Sequence, residues 1–264
     1  MFTHNFEPVL FDLGYLSLRW YSLAYIFGIL IGWWYGKKII VKKFKIYENK
    51  LNVDQFDEYI TYLILGIIIG GRLGYVLFYN FYFYLENPFE ILKIWKGGMS
   101  FHGAVLGIII GTYFFSYKKN IKNFILLDIV ACVSPIGIFL GRIANFINSE
   151  LVGKATNLPW SVIFPNVDMI PRHPSQLYEA FLEGLVLFII LNIIIYKKDY
   201  RVGTCSFMFL ILYGLLRITS EIFREPDEQI GLIFSYFSMG TILSFFMILV
   251  GLFIMSLLKK KNEI

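Results

Sequence analysis

Charge is scarce in this 264-residue chain: Asp, Glu, Lys and Arg together make up 16% of it, against about a quarter in an ordinary soluble domain. With 57% of the residues apolar by type, the deficit excludes a water-soluble globule and describes a protein dissolved in lipid. Cysteine is almost missing. Cys132 and Cys205 both lie inside apolar runs and form no CxxC or Cys/His spacing, which argues against a disulfide framework or a zinc site. No ligand cluster for a metal or an organic cofactor occurs, so neither is expected. A signal peptide is missing as well. The first apolar run follows an uncharged-to-acidic tail, precedes Lys37 and Lys38, and has no small-residue cleavage site behind it, so it is expected to stay in the mature protein. The polar residues show no internal repeat, which disfavours the inverted-repeat transporter plan.

What is present is a series of long apolar runs. A bilayer core of about 30 Å takes about 20 residues of helix per crossing. The runs give seven spans, near 18–37, 57–80, 99–117, 124–148, 176–196, 203–223 and 234–258. The expected fold is an all-α, polytopic membrane protein, a single integral membrane domain over 1–264 with outer loops at 81–98 and 149–175. Cytoplasmic loops collect Lys and Arg. Of the 24 Lys and Arg residues, fifteen fall on one side of the spans, including Lys37, Lys38, Lys42, Lys43, Lys45 and Lys50 after the first. The other side holds Lys93, Lys96, Lys154, Arg172 and Arg224. The N-terminus is therefore expected outside and the C-terminus in the cytoplasm. This bias also accounts for the net charge of +5, so no nucleic-acid partner is implied.

Small residues at four-residue spacing let membrane helices approach closely. Gly66, Gly70 and Gly74 in the second span and Gly103, Gly107 and Gly111 in the third form two such stripes, so these helices are expected to pack face to face. Pro135 lies mid-span in the fourth helix and should kink it, freeing backbone groups that neighbours must satisfy.

Ionisable groups inside spans cost about 2.5–3.5 kcal/mol each on insertion scales, which makes their placement informative. With the orientation above, Tyr21, Arg72, His102, Arg142, Asn145, Asn148, Glu150, Glu179, Glu183, Tyr213, Arg217 and Glu221 all fall in the outer half. A transporter needs polar groups through both leaflets or at the midplane. Here the inner half holds only Asp128 and, at its edge, Asp57 and Glu58. The pattern reads as a polar cavity open to the outer leaflet. Arginines there suit phosphate, through planar multidentate hydrogen bonds, and a phospholipid headgroup is the suggested ligand. The alternatives are a lipid or small-anion transporter and a structural membrane subunit.

Arg142 and Arg217 are read as phosphate binders. His102 is a candidate base, weighed against simple hydrogen bonding at a helix start. Asn145 is a candidate ligand, while Glu150 and Glu221 orient arginines. Arg72 with Tyr75 and Tyr79 forms a stripe suited to interfacial anchoring. Arg172 and His173, between Pro171 and Pro174, read as turn architecture. Glu179 and Glu183 are expected to snorkel toward the outer interface.

The segment Gly141-Arg142-Ile143-Ala144-Asn145-Phe146-Ile147-Asn148-Ser149-Glu150-Leu151-Val152-Gly153 resembles the signature of the prolipoprotein diacylglyceryl transferases. So, in order along the chain, do Arg19-Trp20-Tyr21, Gly70 to Tyr75, Gly97 to Gly103, Pro171 to Glu179 and Phe223-Arg224-Glu225-Pro226-Asp227. The resemblance covers the whole chain. It implies an enzyme of the bacterial cytoplasmic membrane, active at the outer leaflet, that moves the diacylglyceryl group of phosphatidylglycerol onto the lipobox cysteine of preprolipoprotein signal peptides. A thioether forms and glycerol phosphate leaves. The implied catalytic residues are His102, Arg142, Arg217 and Tyr21. The implied substrate-binding residues are Arg142, Asn145, Glu150, Gly153, Tyr213 and Glu221, to which Arg72 and Arg224 are added. Ser22 and Ala104 stand where the family often has glycine.

Overall fold

A segment in lipid must satisfy its backbone internally, so long apolar runs become helices. A computed structural model describes residues 2–12, 17–44, 51–226, 231, 233 and 236–261. Lys45, Lys50, Asp227 and the first two residues of the expected seventh span, 234 and 235, lie outside the described residues. Helices occupy all seven expected regions: α1 (Trp20–Ile39, extended as a π-helix over Ile40–Phe44), α2 (Val53–Phe78), α4 (Phe101–Lys119), α5 (Asn123–Ile147), α6 (Ser175–Glu179) running through a π-helical Ala180–Val186 into α7 (Leu187–Ile195), α8 (Thr204–Glu221) and α9 (Met239–Lys261). The short α3 (Phe81–Glu86) lies in the expected outer loop 81–98. Five helices are long and apolar enough to cross a membrane: Trp20–Phe44, Val53–Phe78, Asn123–Ile147, Ser175–Ile195 and Met239–Leu258. The chain divides into two compact units, one of residues up to Gly36 and from Val130 onward, the other of Lys37–Ile129.

In the second unit, α2 begins with a capping box in which Asn52 accepts from the Gln55 amide and the Gln55 side chain accepts from the Asn52 amide. The two glycine stripes meet as expected. A Cβ placed on Gly70 would stand 2.8 Å from the Gly107 Cα, and one on Gly74 would stand 2.6 Å from the Gly103 Cα. Only hydrogen fits there, so the backbones of α2 and α4 touch. The Tyr59 hydroxyl bonds to the Thr112 hydroxyl across the same pair of helices.

In the first unit, short strands β1 (Phe2–Thr3), β2 (Val9–Asp12), β3 (Ser17–Arg19), β4 (Val162–Ile163) and β5 (Pro171–Arg172) lie outside the long helices. β2 and β3 form a hairpin that leads into α1. β1 pairs parallel to β4, Phe2 opposite Val162, and β4 pairs antiparallel to β5, so the N-terminal segment is stitched to the 149–175 loop. α5 continues through Pro135. Three residues before the proline, the Asn192 amide of α7 donates to the Cys132 carbonyl at 3.4 Å, which ties α7 to α5.

Candidate functional site

Three elements of the first unit converge on an ion network. α5 brings Arg142, the α6 segment with its π-helical continuation brings Glu179 and Glu183, and α8 brings Arg217, Ser220 and Glu221. Glu179 and Glu183 are four residues apart, and Ser220 and Glu221 follow Arg217 by three and four residues, so on each element the groups share a face. Arg142 Nη1 lies 2.9 Å from Glu179 Oε2 and its Nη2 donates to Glu183 Oε2 at 3.0 Å. Arg217 Nη1 donates to Glu179 Oε1 at 2.6 Å and to Glu183 Oε1 at 3.2 Å, while its Nη2 reaches Glu221 Oε2 at 2.6 Å. The Ser220 hydroxyl donates to Glu183 at 2.9 Å. Arg224 Nη1 stands 3.7 Å from Glu179 Oε1. Three guanidiniums thus face three carboxylates.

Both central glutamates are 0% exposed. Glu179 and Glu183 therefore do not snorkel: with Arg142 and Arg217 beside them, pairing inside the protein replaces solvation at the interface. Glu183 lies in the π-helical stretch, a rare form frequently found at functional sites. Arg142 is the more open of the two central guanidiniums, at 15% against 6% for Arg217. The Tyr213 ring is buried one turn before Arg217 and stacks on Phe209.

Beyond the end of α5 the chain turns sharply. Ser149 and Leu151 both take left-handed φ, 55° and 54°, and between them Glu150 points its carboxylate back, accepting from Asn145 Nδ2 at 2.9 Å and Asn148 Nδ2 at 3.3 Å. Gln176 holds the Glu150 carbonyl and Ser175 the Leu151 carbonyl. Gly153 pairs with Arg224 in an isolated bridge. A Cβ there would stand 2.7 Å from the His173 Cβ and 2.8 Å from the Phe223 carbonyl oxygen, so this position has room for glycine alone. Arg172 donates to the Gly153 carbonyl at 3.0 Å and pairs with Asp168 and Glu225. Hydrogen bonding to Arg172 holds the Asp168 carboxyl below the usual carboxylate range. Burial, helped by the charge of Lys154, lowers the His173 imidazole. Tyr21, in the first turn of α1, shares a hydrogen bond with Tyr25 and lies within electrostatic reach of Glu150 and Arg142.

Arg142, Arg217, Glu221, Arg224, Tyr213, Asn145, Glu150, Gly153 and Tyr21 thus all belong to the first unit. Arg72 and His102 belong to the second. Arg72 donates to the carbonyls of Ile91 (2.9 Å), Glu90 (2.6 Å), Gly97 and Gly98 (3.1 Å), with Tyr84 beneath its guanidinium. Its donors hold the 88–98 segment in place. His102 occupies the first turn of α4, which Ser100 caps by accepting from the Gly103 amide. Among the described residues no group of His, Cys, Asp and Glu is arranged to hold a metal ion. Sequence reading placed Glu179 and Glu183 at the interface and missed their pairing with Arg142 and Arg217. The signal that finds them is charge balance, since two arginines in apolar helices require buried carboxylates, and a pair four residues apart offers both on one face.

A model of the family described as prolipoprotein diacylglyceryl transferase matches residues 8–257. A phosphatidylglycerol–prolipoprotein diacylglyceryl transferase of Rickettsia typhi is 53% identical over 263 residues, covering 99% of this chain and 100% of the relative. Proteins of the same name from Rickettsia felis and Rickettsia bellii are 55% and 52% identical over 249 and 252 residues, 94% and 95% of this chain and 95% and 94% of the relatives.

Proposed function

The chain belongs to the prolipoprotein diacylglyceryl transferase family, and from that premise we propose that its Arg142–Arg217 network is the phosphate site of the transfer reaction. The protein is a multi-pass membrane transferase that moves the diacylglyceryl group of phosphatidylglycerol to prolipoprotein, a reaction of bacterial lipoprotein biosynthesis. In the proposed arrangement seven helices span the cytoplasmic membrane, N-terminus outside and C-terminus inside, and the polar cavity opens to the outer leaflet. The basic-residue bias supports that orientation. The pairing of the N-terminal β1 with β4 puts the N-terminal segment and the 149–175 loop on one and the same side.

The acceptor is the thiol of the lipobox cysteine. Its sulfur bonds to the glyceryl carbon, the bond from that carbon to the phosphate oxygen breaks, and the electron pair leaves with glycerol phosphate. The thiol proton passes to a base, for which His102 is the candidate. A free cysteine has a pKa of about 8.5, so a base or a positive field raises the reactive fraction. The leaving group gains negative charge as it departs, and guanidiniums held in place before the reaction stabilise that charge without reorganising. The observation that carries this reading is the pair Glu179 and Glu183 gripping both guanidiniums, which fixes their direction as a carboxylate beside a metal-bound histidine fixes its ring. Arg142, the more exposed, faces the headgroup, and Arg217 anchors it from behind. Asn145, Glu150, Gly153, Tyr213, Glu221, Arg224 and Tyr21 line the headgroup and thiol positions. The donors of Arg72 are occupied by backbone carbonyls, so its contribution is to hold the 88–98 segment.

Purified protein incubated with phosphatidylglycerol and a lipobox peptide should yield the diacylglyceryl adduct by mass spectrometry, and Cys→Ser in the peptide should abolish it. Adduct on the serine peptide would refute the thiol assignment. A tag after Ile264 should be reachable only from the cytoplasm; labelling from outside would overturn the orientation.

A further inference from the structure

His4 lies before residues 8–257, the stretch that the family model matches, and outside every helix. Its side chain is nevertheless 3% exposed. Its amide donates to the Ile163 carbonyl at 2.9 Å as β1 lies along β4, which fixes the backbone. The imidazole then packs among Phe6, Phe146 and Phe164, each with its ring centroid 5.2 Å away. Its Nδ1 shares a hydrogen bond of 3.1 Å with the Ser149 hydroxyl. Burial lowers its pKa, partly offset by a hydrogen bond to the Phe146 backbone.

Two of the residues it touches lie within the polar turn. Phe146 follows Asn145, and Ser149 precedes Glu150. That turn needs support from outside, because Ser149 and Leu151 both adopt left-handed backbone without being glycine, a conformation that persists only where the surroundings over-determine it. Gln176 and Ser175 supply support on one side, through the Glu150 and Leu151 carbonyls. His4 supplies it on the other.

We propose that His4 is a positioning residue for diacylglyceryl transfer: through Ser149 and Phe146 it fixes the turn that aims the Glu150 carboxylate and the Asn145 amide. The proposal rests on the reading of Glu150 and Asn145 as substrate-binding residues. An N-terminal segment that threads back to the site makes the active geometry depend on β1 being paired, and misplacement of a positioned group by about 1 Å can cost 10²-fold in rate.

The test compares His4→Phe, Ser149→Ala, the double variant and Glu150→Gln in full-length protein, with phosphatidylglycerol vesicles and a lipobox peptide. His4→Phe keeps the ring packing and removes the hydrogen bond; Ser149→Ala removes the same bond from the other end. Each single variant should lower kcat/KM about tenfold per folded molecule, and the double variant should lose no more than His4→Phe alone, because Ser149→Ala deletes a contact that His4→Phe has already removed. Losses that multiply to about a hundredfold, or single variants at wild-type turnover beside an impaired Glu150→Gln, overturn the proposal. Should His4→Phe not fold, Ser149→Ala with its rescue by Ser149→Asn, which keeps a hydrogen-bonding side chain and tolerates left-handed backbone, reads the same contact, and no loss in Ser149→Ala overturns it. Full activity of Glu150→Gln would instead remove the reading of the turn as substrate-binding, and the proposal with it.

Discussion

Glu179→Gln is the sharpest perturbation of the ion network. The exchange keeps shape and volume, so no cavity contributes to the effect and the loss isolates charge. The wild-type carboxylate is wholly buried and meets Arg142 at 2.9 Å and Arg217 at 2.6 Å. Removing one partner of a buried pair costs about 3–5 kcal/mol, because the remaining charge is left without compensation. Two features place the expected cost at the lower end. Glu183 still faces both guanidiniums at 3.0 and 3.2 Å, and the amide oxygen keeps one acceptor in place. A loss of about 3 kcal/mol corresponds to a fall of about 6–12 °C in the melting temperature for a chain of this size. The control is Glu225→Gln. That carboxylate also pairs with an arginine, Arg172 at 3.2 Å, but is 48% exposed, and such pairs contribute about 0–1 kcal/mol. Thermal melts of both variants in one detergent, followed by tryptophan fluorescence, make the comparison. If Glu179→Gln melts within a couple of degrees of Glu225→Gln, the two guanidiniums do not depend on that carboxylate and the network is not what holds them.

Gly107→Leu or Gly70→Leu should push α2 and α4 apart, since even a Cβ on Gly70 would stand 2.8 Å from the Gly107 Cα; folded yield in detergent should collapse, and wild-type yield would show that the stripes do not pack. Arg142→Lys should insert and purify yet lose most turnover, because an ammonium cannot give Glu179, Glu183 and a phosphate the planar set of donors they require. If His102 is the base, His102→Gln should lose about 10²–10⁴-fold in turnover, with part restored at high pH as the thiol ionises unaided; a flat, near-normal pH profile would remove the assignment. Because burial holds the His4 pKa below its ordinary 6.5, the unfolded chain binds the proton first as pH falls. The docking of β1 should therefore be secure above about pH 6.5 and weaken below it, read as faster hydrogen exchange at the His4 amide at pH 5.5 than at pH 7.5 after correction for intrinsic rates; unchanged protection would refute it.

The parts of this protein written in local pattern were legible in the sequence. Each apolar run became helix because lipid leaves the backbone no other partner, and the glycine stripes of α2 and α4 met because four-residue spacing is a property of one helix read alone. Neither Glu179 nor Glu183 could be placed that way. Their partners Arg142 and Arg217 lie more than thirty residues off, on other helices, and which faces meet is decided by packing that no single helix displays. Arg72 shows the same limit in reverse. Its position in an apolar helix marks it as unusual, but its partners are the carbonyls of an irregular segment, including Gly97 and Gly98 at positive φ. The two-residue strands β1 and β4 are too short to carry any periodicity, so the return of the N-terminus to the 149–175 loop, and His4 with it, left no trace in the pattern.

The network is formally neutral, and that bears on how it can handle an anionic lipid. Three guanidiniums already answered by three carboxylates offer little net attraction to a phosphodiester, so binding cannot rest on charge alone. A buried ion network is also a poor way to gain stability, since well-packed apolar side chains of the same volume would join α5, α6 and α8 at least as firmly. What the carboxylates do supply is direction. Glu179 and Glu183 each touch both arginines, so neither guanidinium can turn without breaking contact with the other's partners. Donors fixed in this way act most strongly where charge appears during the reaction rather than where it already exists. The phosphodiester carries one negative charge and the departing glycerol phosphate approaches two, so on the proposed reading the increment is what Arg142 and Arg217 stabilise. So read, the network favours the leaving group over the bound lipid, the preference a transferase requires and a lipid carrier does not.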